Sequence, residues 1–206
     1  MTLPAAAKDV LEFWFGDAAG GDEAALQDAF SRWFGGGDAF DTEIEERFGV
    51  HIETALSGGL VDWESDVRSR LALVILLDQF PRNVFRRTAK AFAGDDRAIQ
   101  LARDAVREGL DEKLLPVEQV FLLMPYQHAE DISLQEEGVR LFRLLADGTE
   151  PHSVKKLLQS SFKYAQKHCD IIARFGRFPY RNAVLGRRST PDEERWLQDS
   201  GERFGQ

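Results

Sequence analysis

Leu71-Ala72-Leu73-Val74-Ile75-Leu76-Leu77-Asp78-Gln79-Phe80-Pro81 is the stretch whose reading decides the fold. Its seven consecutive apolar residues are the longest uninterrupted apolar run in the 206-residue chain. That is far short of the roughly 18 needed to span a bilayer. A helix that is apolar on every side must instead be buried in protein. The segment from about Glu64 to Gln79 is therefore expected to be the central helix. Pro81 should end it, because its ring disfavours the α conformation in the residue before it. Asp78 then lies at the C-terminal end of a buried helix, where the helix dipole disfavours a carboxylate by roughly 0.3–1 kcal/mol. Such a carboxylate needs a cation or hydrogen bonds, or it protonates.

Outward from this helix, apolar residues recur at helical spacing, with no convincing run of strand-like alternation. Helices are expected over about Pro4–Phe15 and Glu23–Phe34, the second stopping at Gly35-Gly36-Gly37. Another should follow Asp41 as N-cap and end at Gly58-Gly59. Asp95–Glu108 is a further helix, and Pro116 opens a short one that Pro125 should end. Ser133…Glu136 reads as a capping box for a helix to Ala146, followed by a long helix from about His152 to Phe175. Thr190-Pro191-Asp192-Glu193 opens the last. The expectation is an all-α fold of about nine helices in a single domain over 1–206, large enough to bury a core without staples.

A net charge of −9 argues against nucleic-acid binding, and a single cysteine excludes an internal disulfide and fits a reducing cytoplasm. Met1–Asp9 lacks a basic stretch followed by a long apolar run, so no targeting or membrane segment is read and a cytoplasmic location is expected. The charge is segregated. Residues 1–60 carry −9 and residues 101–150 carry −6, whereas residues 151–190 carry +8. That basic segment is either neutralised by packing on the acidic parts or forms a wall for anions. The 19 arginines against 7 lysines favour the second use, since a guanidinium forks onto carboxylate or phosphate.

One phrase recurs: Gln79-Phe80-Pro81-Arg82-Asn83 and Arg177-Phe178-Pro179-Tyr180-Arg181-Asn182. Together with Val10-Leu11-Glu12-Phe13-Trp14-Phe15-Gly16, Arg174-Phe175-Gly176 and Asn182-Ala183-Val184-Leu185-Gly186-Arg187, it resembles a bacterial family catalogued as domain of unknown function 924. The resemblance covers nearly the whole chain and implies a tetratricopeptide-like helical array, taken as right-handed, and no established activity. Two positions depart from the family's usual pattern. Tyr180 stands where the family commonly has histidine, and Ala129 where it commonly has serine.

Three function classes follow from the residues. The first is a helical binding module whose pocket is lined by Asp78, Arg82, Asn83, Arg177, Arg181 and Asn182, taking a small anion or an acidic peptide end. It requires the two Phe-Pro turns to meet; otherwise the same residues are an ion-pair clamp between helix ends. The second is a hydrolase-type enzyme acting on a small anionic substrate. Its base would be His128 or His168, paired with Glu130 or Asp131. Asp131 competes for this role with N-cap duty, and His168, on an apolar helix face, with a core role. The third is a protein-interaction scaffold. No metal, cofactor, nucleic acid or membrane partner is expected, and the sequence leaves the oligomeric state open.

Overall fold

The structure is a computed structural model that describes residues 3–148 and 152–200. Of the domain expected over 1–206, residues 1–2, 149–151 and 201–206 lie outside the described residues. The helices are α1 (Ala5–Phe15), α2 (Glu23–Gly35), α3 (Asp38–Leu56), α4 (Val67–Val74), α5 (Phe80–Val84), α6 (Asp95–Arg107), α7 (Pro116–His128), α8 (Ile132–Gly148), α9 (His152–Phe175) and α10 (Pro191–Ser200). A π-turn, Ile75–Gln79, joins α4 to α5 in one rod. With that rod counted once, the described residues hold nine α-helices and no strand. None of them is long and apolar enough to cross a membrane.

The rod is the central element, with Leu71 through Leu77 all buried. Pro81 does not end it. The Phe80 N–H bonds to the Ile75 carbonyl, five residues back, and the helix resumes with Pro81 in its first turn. A proline ring crowds the carbonyl four residues before it, here that of Leu77, and offers that carbonyl no N–H. The widened turn accommodates both problems, as a π-bulge characteristically does. Gly94 closes over the same carbonyl. A Cβ built there would lie 2.2 Å from Leu77 O.

Pro125 is likewise an interior residue rather than a stop, and α7 runs on to His128. Tertiary packing overrides the proline, since almost the whole helix from Val117 to Gln127 is buried. Two further expectations shift. The third helix begins at Asp38 with Gly37 as its cap, which leaves Asp41 inside the first turn, where its side chain accepts from Asn83 and Arg86 instead of capping the helix. The cap of α8 is Asp131, whose Oδ1 accepts the Leu134 N–H at 3.0 Å, so Ser133…Glu136 is not a capping box. The last helix starts as expected: Thr190 and Glu193 exchange side-chain-to-backbone bonds at 2.7 and 3.3 Å.

An aromatic cluster locks the N-terminal helices onto the rod. Trp14 packs edge-on to Phe80 and Phe121 at 5.5 Å and lies against Trp33, whose indole N–H donates to the Trp14 carbonyl at 2.9 Å. On the other side, α7, α8 and α9 pack in succession, each on the next. A smaller apolar cluster of Ile171, Ile172 and Phe178 anchors the second Phe-Pro turn to the end of α9. The rod, α7 and α9 thus meet along one seam, and α2 closes it from the side.

Candidate active site

The seam opens into a cavity of about 640 Å³, within the range usual for small-molecule sites. The rod contributes Gln79, Arg82 and Asn83, and the turn after it Arg86; α7 contributes Met124, Gln127 and His128; α9 contributes Ser160, Ser161, Tyr164 and His168; α2 contributes Phe30, Trp33 and Phe34. The two prolines read as helix stops bring the chemistry together. The π-turn holds Asp78 against the end of α7, and passage through Pro125 carries the helix one further turn to His128.

Asp78 is fully buried, and its Oδ1 lies 2.6 Å from Nδ1 of His128. Arg82, one turn on, approaches the same oxygen at 3.1 Å and donates to the Asp78 carbonyl at 2.6 Å. Gln79 donates to Oδ2 and reaches Met124 Sδ at 3.2 Å. Burial acts to raise the Asp78 pKa, but Arg82, His128 and the Gln79 bond outweigh it and hold the carboxyl at about 2. His128 shifts below its ordinary value through burial and the Arg82 charge, against the pull of Asp78. It is therefore neutral at neutral pH, with Nδ1–H donating to Asp78 and Nε2 carrying the lone pair.

His168 shares the cavity, its ring centroid 6.2 Å from that of His128. Its Nδ1 lies 2.8 Å from the Tyr164 carbonyl, which can only accept. Burial first, and the nearby His128 second, depress its pKa to about 3. The expected histidine–carboxylate pair therefore forms with a different carboxylate. Glu130 faces away onto Arg187 and the Phe178 N–H (2.8 Å), and Asp131 is the α8 cap.

The two Phe-Pro turns meet through a residue the sequence reading did not single out. Asp95 Oδ2 accepts from Arg82 at 3.0 Å and from Arg181 at 3.2 Å. Arg181 is 4% exposed and lies between the rings of Phe92 and Phe178, each 4.5 Å from its guanidinium carbon. Arg82 and Asn83 line the cavity, but Arg177, Arg181 and Asn182 do not. Arg177 pairs with Glu193 at 2.7 Å, and Asn182 bonds Ser189 and Glu193. Asn83 and Arg86 both donate to Asp41, at 2.8 and 2.6 Å. Every arginine on the cavity wall thus already faces a carboxylate. The sequence marks Asp41 only as a candidate N-cap, and nothing in it points to this pairing. Among the described residues no group of three or more His, Cys, Asp or Glu side chains is placed to hold a metal ion.

No curated protein matches the chain. A solved structure of a protein of unknown function, ATU0120 from Agrobacterium tumefaciens, is similar at 35% identity with a TM-score of 0.79, over 95% of this chain and 98% of that one. The model of the family described as bacterial protein of unknown function (DUF924) matches residues 10–201. With a match of that extent, the chain belongs to the DUF924 family.

Proposed function

We propose that the protein is a hydrolase-type enzyme in which His128, oriented by Asp78, acts as general base on a small molecule bound in the cavity. The observation that carries this is the 2.6 Å bond from a fully buried carboxylate to Nδ1 of a histidine that lines the cavity. Asp78 stays ionised, fixes the tautomer and stabilises the imidazolium formed during reaction. A water gives its proton to Nε2 of His128 while its oxygen attacks the substrate carbonyl. The same proton then passes to the leaving group. Base catalysis of this kind contributes typically about 10²–10⁴-fold.

The paired arginines weigh against a small anion or an acidic peptide end as the ligand, because the guanidiniums at the wall are already met by Asp78, Asp95 and Asp41. The test is hydrolysis of p-nitrophenyl acetate by the wild-type protein, His128→Ala and Asp78→Asn, with circular dichroism as the fold control. His128→Ala should lower kcat/KM by about 100-fold or more while remaining folded. An unchanged rate in folded His128→Ala removes the reading.

A further inference from the structure

The cavity wall is chemically divided. On one side Phe30, Phe34 and Tyr164 leave 41, 51 and 48% of their surfaces in water. Phe30 and Phe34 stand one turn apart on α2 with ring centroids 4.8 Å apart, and the buried Trp33 lies between them in sequence and also lines the cavity. Large exposed rings at the rim of a cavity are unfavourable in water and gain by covering an apolar body. On the other side are Gln79, Asn83, Gln127 and the neutral His128. The two guanidiniums at the wall, Arg82 and Arg86, are met by three carboxylates, Asp78, Asp95 and Asp41. No net positive charge remains there for a multiply charged anion. From this division we propose, building on the general-base reading above, that the substrate is an amphipathic ester or amide, neutral or singly charged. Its aromatic or aliphatic body lies against Phe30, Phe34 and Tyr164, and its carbonyl end faces His128.

Two measurements on the full chain separate this inference from the reading it builds on. The first compares kcat/KM for p-nitrophenyl acetate, butyrate and hexanoate in wild type and in Phe34→Ala, an exposed position whose truncation leaves the core intact. Each added methylene that reaches the rim should raise kcat/KM several-fold, giving at least 10-fold between acetate and hexanoate. Phe34→Ala should cut that ratio by 5-fold or more. The second measures binding of hexanamide to His128→Ala by the change in Trp33 fluorescence, with Trp33→Phe as the blank. Hexanamide should bind His128→Ala and should bind at least 5-fold more weakly when Phe34→Ala is added. If His128→Ala hydrolyses the esters normally yet hexanamide binding depends on Phe34, the catalytic reading falls and the ligand class stands. If His128→Ala is inactive but acetate and hexanoate are turned over alike in wild type, the ligand class is overturned and the catalytic reading stands. Binding of inorganic phosphate in place of hexanamide also overturns it.

Discussion

The buried Asp78 and His168 and the half-buried His128 have pKa values on the acid side of their ordinary ranges. For His168 the unfolded chain takes up a proton below about pH 6.5, whereas the folded protein resists until about pH 3. Between those values the unfolded state binds more protons, so stability falls as the pH falls. At about 1.4 kcal/mol per unit, the limiting effect of the full shift is roughly 4–5 kcal/mol. Asp78 adds in the same direction over a lower window, from 3.8 down to about 2. We expect urea midpoints of the wild-type protein to fall steadily from pH 6.5 to pH 4. In His168→Asn the fall over that range should be clearly smaller, with the remainder coming from His128 and the arginine-paired Glu130 and Glu193. A wild-type midpoint that is flat from pH 6.5 to 4 contradicts the burial of neutral His168. In catalysis, the lowered pKa of His128 should move the acid limb of the rate profile below the ordinary histidine value.

At the scale of the element, the site depends on a helix that departs from regular α geometry where Pro81 meets the buried run. Gly94 is the residue that admits this departure. A methyl group there would lie 2.2 Å from Leu77 O and 3.0 Å from Leu77 Cα, both backbone atoms that cannot swing aside. Gly94→Ala should therefore destabilise the protein by about 1–3 kcal/mol through forced backbone movement. Urea unfolding checks this, and a midpoint within error of wild type would mean that the turn is not held as described. Element existence was legible in the sequence because caps and apolar spacing are local: Thr190…Glu193 marks its helix start directly. The π-turn and the run through Pro125 were not legible, since both arise where burial on neighbouring helices outweighs a proline's local preference. The site divides in the same way. Asp78 stood out because a carboxylate in a buried helix demands partners, and His128 because of the carboxylates beside it in the chain. Their pairing with each other crosses 50 residues, and sequence neighbours such as Glu130 draw attention from it.

For the whole molecule, the segregation of charge along the chain becomes pairing in space. Four of the five arginines between 151 and 190 meet carboxylates from other segments: Arg174 with Asp192, Arg177 with Glu193, Arg181 with Asp95 and Arg187 with Glu130. The lysines Lys156, Lys163 and Lys167 of α9 stay exposed. The Arg-rich region is thus largely an internal brace, with Asp95 as the joint that binds one arginine from each Phe-Pro turn. Removing one partner of a buried ionic group leaves the others uncompensated and destabilises by about 3–5 kcal/mol. Asp95→Asn keeps the shape and removes the charge, and should lower stability by about that amount. The same variant exposes the consequence for ligands. Arg82 would then keep only Asp78 and Arg181 would lose its ion pair, and inorganic phosphate added at constant ionic strength should raise the melting temperature of Asp95→Asn. In the wild-type protein, where Asp95 already occupies both guanidiniums, phosphate and chloride should give the same melting temperature. A phosphate-dependent rise in wild type equal to that in the variant would mean that these arginines accept an anion despite their carboxylates, and would return the basic segment to ligand binding.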